Sequence, residues 1–547
     1  MREKTSWIND VKRILREPSL IVLLAVVTVV FGAFILYPLI KIALLPDLES
    51  WKRFFTEKGF LTAFRNTIAS SLLATATAVF FGFCYAYAVN YAEVPLRRFF
   101  RVLVLVPLTA PSAITGLAFI MLFGRRGLIT WNLLGLRTDL YGWVGLWVAQ
   151  SVAFFPLAYM TISGVLKAIS PNLELAAENL GARGGRLFWT ITLPLALPGI
   201  LGAFLLVAIN SLADFGNPML VGGNYRVLAT EAYIQVVSQF DNKMASVLSI
   251  MLLLPTLCVF LFQRYYLEKR SYVTVTGKPV AGLKRVQVSP LVRWTLFGVC
   301  CFVALYIILT YSIVILFTIT ERFGVNNTFT LNHFYEVFFR SRALLNSWGL
   351  SLTSAVIVTV LGVMTAFLVS RKKFPGRALM DFVAVLPISM PGTFMGLALV
   401  LAYNAGWLEL TGTAAIIVIG MVLRQLPVGY RNSVAAFKQI DKSIEEASTN
   451  LGANSISTFR RVIMPMLKHA VSVSFVYSFM KCMNTLSTVI FLASPRWNLA
   501  ALQILNLADN GYYGRASATA MGMMLCIAIT FGVMKLLFKG RIQIFDI

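Results

Sequence analysis

The chain is short of acid. Its 547 residues carry 48 Lys and Arg against 23 Asp and Glu, and charged residues of both signs make up only 13%. Soluble domains devote about a quarter of their residues to charge, so this composition lies outside the ordinary globular class. Histidine is scarce: the two present, His333 and His469, are far apart in sequence. The six cysteines, Cys84, Cys258, Cys300, Cys301, Cys482 and Cys526, sit in apolar runs without ligand spacing. They read as small apolar residues, and no His/Cys metal site is expected. A phosphate loop is missing too. Gly277-Lys278 is followed by Pro279, and Tyr272 stands where the first glycine would be needed. No paired carboxylates, Ser/His/Asp set or Cys/His set falls at a plausible spacing, so no independent active site and no cofactor are expected. A cleavable signal is not evident, because the first apolar run is too long and lacks a clear small-residue cleavage site.

What the chain has is apolar length. It is 58% hydrophobic, with a mean hydropathy of +0.76. An all-α membrane protein crossing the bilayer about twelve times is the class that fits. Apolar runs long enough to span fall at roughly 19–45, 66–91, 102–123, 142–166, 195–221 and 244–262, then at 294–319, 347–369, 378–403, 414–436, 468–492 and 516–537. The third run contains Pro107, Pro111 and Gly116, which predicts a kinked or broken span. The net charge of +25 would suggest nucleic acid in a soluble chain. Here the basic residues cluster between spans, as at Arg97-Arg98 and Arg371-Lys372-Lys373, so a positive cytoplasmic face accounts for them and no nucleic-acid partner is expected. The basic stretch 265–293 reads as a cytoplasmic linker between a first repeat, 1–264, and a second, 294–547.

Proline and glycine recur at fixed offsets. Before the fourth span the offset is 280: Gly82/Gly362, Pro95/Pro375, Pro107/Pro387, Pro111/Pro391 and Gly116/Gly396. Later it is 271: Pro156/Pro427, Gly181/Gly452 and Pro194/Pro465. These residues set backbone bends, so a chance match is hard to obtain. Each repeat has an even number of spans, so the two insert the same way up. Two polar interruptions, 172–198 and 443–465, then face the cytoplasm together. Each predicts a short helix that cannot live in a bilayer. Ser443 and Glu446 fit a capping box, Asn172 can cap the first copy, and Gly181 and Gly452 supply helix stops. Ala176, Ala177 and Ala447 keep one face low enough for another protein's groove to approach.

The second interruption carries Glu446-Ala447-Ser448 and Gly452 before a proline. It resembles the Glu-Ala-Ala loop of the membrane subunits of ABC importers. The first copy has Leu175-Ala176-Ala177 and Gly181, with Leu in place of the usual Glu and Glu174 adjacent. The phrases SLADFGNPMLVGG and MNTLSTVIFLASPRWNLAALQIL resemble fused permeases of the ferric-iron group of these importers. The resemblance implies the type I importer permease fold, two parallel six-helix repeats, and a bacterial inner membrane with both termini cytoplasmic. It also implies an extracytoplasmic substrate-binding protein, and two ATPase subunits docked on Glu174, Ala176, Ala177 and Gly181 in one loop and on Glu446, Ala447 and Gly452 in the other. ATP hydrolysis would come from those subunits. Ferric iron is the implied cargo, with phosphorylated sugar, aminoethylphosphonate or another small anion as alternatives.

Intramembrane polar residues mark candidate pathway positions. They are Asn210, Asp214 and Asn217 near the fifth span and Lys481, Asn484 and Thr485 near the eleventh. Polar glue between helices is the competing reading. A pair between Asp214 and Lys481 would also suit a self-contained secondary transporter, which ion-driven uptake by the chain alone would reveal.

Overall fold

A computed structural model describes residues 18–136, 140–267, 288–406 and 408–537. The linker expected at 265–293 falls mostly on residues outside these, as do both basic termini. Among the described residues eleven helices are long and apolar enough to cross a membrane, or twelve if the bent pair Arg377–Ile388 and Gly392–Tyr403 is one span. They are numbered here in chain order: Pro18–Leu44, Lys58–Asn90, Ala113–Leu133, Trp143–Ala168, Gly184–Leu212, Asn242–Tyr266, Pro290–Ile319, Ala343–Arg371, the bent pair as ninth, Ala414–Gln439, Phe459–Met483 and Tyr513–Leu536. The prolines act as expected. The third apolar run is split into helices Arg97–Leu103, Val106–Thr109 and Ala113–Phe123, and the ninth span bends by 112° at its break. The fifth and eleventh spans end earlier than hydropathy suggests, at Leu212 and Met483. Apolar sequence continues beyond each, but as a short helix, Gly216–Val221, in the first repeat and as consecutive turns in the second. One antiparallel hairpin, Thr320–Arg322 with Asn326–Phe329, interrupts the helical architecture after the seventh span.

The chain forms two compact units, and each mixes sequence from both repeats. One comprises, among the described residues, 18–47, 338–503 and 522–537, and the other Leu48–Val337 and Ile504–Met521. The first span thus lies with the second repeat, where Tyr403 donates to the carbonyl of Ala33 at 2.7 Å and its ring lies 5.7 Å from Phe34. The seventh span lies with the first repeat, where Phe302 stacks on Phe81 at 6.2 Å and Tyr306 on Phe123 at 6.5 Å. Phe123 and Tyr403 are equivalent positions at the 280 offset.

The repeated glycines are close-approach positions. A Cβ on Gly82 would lie 2.8 Å from that of Ala158, and one on Gly362 would lie 2.7 Å from the backbone carbon of Gly429. The second span therefore crosses the fourth, and the eighth crosses the tenth, backbone against backbone. Lipid tails are as apolar as leucine, so such dispersion contacts are what holds membrane helices together. Gly116 admits Leu220 and Asn217, and Gly396 admits Phe491 and the carbonyl of Thr488. Those contacts too match at the 271 offset, so each repeat seats the segment after its fifth helix against a broken one.

Candidate functional site

Two polar regions recur in both repeats: a helix beyond the membrane and a cluster where the spans break. The first outer helix is Pro171–Asn179. Ser170 precedes it without a side-chain cap bond, and Pro171 starts it, since a missing N–H costs nothing at the first helical position. Asn172, expected as the cap, lies inside the helix. Gly181 ends it at φ +88, and the N–H of Ala182 closes back on the carbonyl of Ala177 at 2.9 Å. Glu174 is buried and accepts from Thr192 Oγ1 at 3.1 Å. Ala177 is buried and Ala176 exposed.

The second outer helix is Lys442–Asn450. Its cap is Asp441, whose Oδ1 accepts the N–H of Ser443 at 2.9 Å, so Ser443, expected as the cap of a capping box, lies inside the helix. Hydrogen bonds from Ser443 hold the Asp441 carboxyl below the usual carboxylate range. Gly452 stops the helix at φ +84. Glu446 and Ala447 are exposed. The inward carboxylate is instead Glu445, the 271-offset partner of Glu174, and it pairs with Arg371 Nε at 2.7 Å. Arg371 also donates through Nη2 to the carbonyls of Phe437 at 2.9 Å and Ile440 at 2.6 Å. At the equivalent place in the first repeat, Tyr91 OH reaches the carbonyl of Leu166 at 3.5 Å. The second outer helix is thus tied to the end of the preceding span by Arg371, while in the first repeat Tyr91 holds that span end. Each outer helix also ends on a leucine facing solvent, Leu180 at 90% exposure and Leu451 at 89%.

In the membrane cluster of the first repeat, Asp214 Oδ2 accepts from Gln150 Nε2 at 3.1 Å and Asn217 Nδ2 at 2.9 Å. Thr115 Oγ1 donates to Asn217 Oδ1 at 2.9 Å, and Ser211 Oγ to Gln150 Oε1 at 3.2 Å. All five residues are buried. A buried carboxylate with these donors is satisfied without a countercharge. Asn210 is not part of it, since its amide bonds back to the carbonyl of Leu206 at 2.8 Å. In the second repeat Lys481 lies 5.7 Å over the ring of Tyr477, and Thr485 Oγ1 donates to the carbonyl of Lys481 at 2.7 Å. Asp214 and Lys481 therefore each find partners inside their own unit.

Gln150 and Arg424 were not singled out from sequence, although an arginine inside an apolar span is the signal to look for. Arg424 sits in the tenth span and donates through Nη1 to the carbonyls of Pro387, at 3.4 Å, and Met390, which flank the break in the ninth. Among the described residues no group of His, Cys, Asp and Glu could hold a metal ion.

Comparison with known proteins gives this architecture a family. The model of the binding-protein-dependent transport system inner membrane component matches twice, at residues 74–271 and 358–543. The ferric transport system permease protein FbpB of Actinobacillus pleuropneumoniae is 32% identical over 528 residues, covering 93% of this chain and 76% of that protein. The Fe(3+)-transport system permease protein FbpB 2 of Haemophilus influenzae is 24% identical, over 86% of this chain and 88% of that protein. The molybdenum transport system permease protein ModB of Mycobacterium tuberculosis is 30% identical over 236 residues, 42% of this chain but 87% of that protein. A relative that matches nearly whole against less than half of the chain is what a fused double permease predicts. The chain belongs to the inner membrane components of binding-protein-dependent transport systems, as a fused, multi-pass permease subunit of an ABC importer.

Proposed function

We propose that this permease translocates ferric iron handed over by an extracytoplasmic substrate-binding protein. Two ATPase subunits would supply the work, one seated on Pro171–Asn179 and one on Lys442–Asn450. Both termini and both outer helices would face the cytoplasm. The docking reading is carried by one observation: both helices end on a leucine about 90% exposed, directly before a glycine with positive φ. A large apolar side chain held out on a rigid, repeated helix end is what a partner's groove binds. Glu174, Ala176, Ala177 and Gly181, with Glu446, Ala447 and Gly452, would form the rest of the contact. The Arg371–Glu445 tie would pass movement of the second outer helix into the spans. Asn210, Asp214, Asn217, Lys481, Asn484 and Thr485 are proposed to border the cargo path. The buried Asp214 network would act as a rigid wall, because its donors are already taken.

The cargo assignment rests on the ferric-transport names of relatives matching along nearly the whole chain. Uptake by proteoliposomes holding permease, ATPase and binding protein tests it. The expected result is ATP-dependent accumulation of radioactive iron. Accumulation of a phosphorylated sugar, aminoethylphosphonate or an oxyanion with no iron would overturn the cargo. Ion-driven uptake by the permease alone would overturn the whole reading in favour of a secondary transporter.

A further inference from the structure

We propose that the break in the ninth span is a binding site for a small oxyanion of the phosphate class. The helix after the break, Gly392–Tyr403, has twelve residues, and no side chain caps its N-terminus. Its leading amide N–H groups carry partial positive charge. Two hydroxyls at this point are fully buried and have no hydrogen-bond partner, Thr393 Oγ1 and Thr488 Oγ1. A Cβ placed on Gly392 would meet the Ser487 hydroxymethyl first and lie 2.9 Å from Thr488 Oγ1, so the hydroxyls of Ser487 and Thr488 both face the first residue of that helix. Arg424 completes the group. Its Nη1 holds the carbonyls of Pro387 and Met390. No carboxylate pairs with the guanidinium among the described residues, which leaves Nε and Nη2 available. Gly420, one turn before Arg424, lies against the methyl of Thr488, so cation and hydroxyl share one face of the tenth span.

The first repeat shows what is missing here. There Asp214 accepts from the amide side chains of Gln150 and Asn217. The second repeat has Thr485, Ser487 and Thr488 at the places of Asp214, Gly216 and Asn217. Its threonine hydroxyl turns back to Lys481 instead of capping. One repeat therefore carries its own anion beside the break. The other offers a cation, two unpaired hydroxyls and a helix N-terminus, and supplies no anion. An oxyanion satisfies all of these at once, through several acceptor oxygens and a charge matched to Arg424. The inference stands on this geometry and does not depend on which cargo the permease carries.

The test is equilibrium dialysis of radioactive orthophosphate against the purified full chain in a glycoside detergent free of phosphate. One saturable site is expected. Arg424→Met should weaken it at least tenfold, Arg424→Lys less, and Thr488→Val several-fold. Arg496→Met, which removes an arginine stacked on Trp497 in the same unit, should leave it unchanged. Thr488→Val removes only a hydroxyl, so it reads the site even if Arg424→Met does not fold. Repeating the assay in phosphatidylglycerol and in galactolipid vesicles separates two sources of the phosphate. Binding seen in galactolipid but blocked in phosphatidylglycerol supports the site with a lipid headgroup as its occupant. Equal binding in both supports it with free phosphate. Absence of saturable binding, or binding unchanged in Arg424→Met, Arg424→Lys and Thr488→Val alike, overturns the proposal.

Discussion

Replacing Arg371 with methionine would remove the cation from Glu445 and one donor from each of the Phe437 and Ile440 carbonyls, leaving Phe437 only the N–H of Ile440. Hydrogen bonds to a charged group contribute about 1.5–3 kcal/mol each, and Glu445 is partly solvated, so a loss of about 2 kcal/mol is expected. A thermal melt of the purified chain checks this; Arg371→Lys should fall between wild type and Arg371→Met. The helix crossings give a second prediction. Gly82→Ala meets Ala158 at 2.8 Å and should cost about 1–3 kcal/mol. Gly202→Ala, with nothing within 4 Å, should shift stability by no more than about 0.5 kcal/mol. Equal melting temperatures for the two alanine variants would contradict the crossing. The glycines were legible as a repeat, since Gly82 and Gly362 stand 280 apart. Their reason was not, because sequence does not say which helices cross. Arg424 was overlooked because its span averages to an apolar hydropathy that hides one cation.

At the scale of elements, the two outer helices were readable in place and in their stops, but not at their starts. Sequence offered Asn172 and Ser443 as caps, and the helices begin at Pro171 and Lys442. Asp441 takes the capping role because its carboxylate reaches the N–H of Ser443. The hydrogen bonds that lower its pKa favour the ionised form in the folded chain. Their contribution is therefore present above the ordinary carboxylate range and is lost as pH falls through the folded value. Protection factors of the amides in residues 442–450, referred to the intrinsic exchange rate at each pH, should fall on acidification, and Asp441→Asn should remove that dependence. Unchanged protection factors would contradict the cap. The ends of the fifth and eleventh spans were misplaced for a related reason: hydropathy continues through Met219–Val221 and Val489–Leu492, while the backbone turns at Leu212 and Met483.

For the whole molecule, twelve apolar runs and two parallel repeats could be read from composition and from the 271 and 280 offsets. The exchange of the first and seventh spans could not, because an apolar helix has the same hydropathy whichever repeat it packs on. Its consequence can be tested by co-expressing residues 1–275 and 276–547 as separate chains. Because each compact unit contains spans from both repeats, the two pieces should copurify, and neither should be stable alone. Independent, monomeric halves would contradict the exchange.

An outside motor is proposed to work this permease through the helix ends at Leu180 and Leu451. Copurification of the ATPase with the wild-type chain and with the double substitution Leu180→Asp, Leu451→Asp tests it directly. Two ATPase subunits are expected on the wild type, with their loss from the double variant and an unchanged melting temperature, since both leucines are about 90% exposed. Full ATPase retention by the double variant would contradict it.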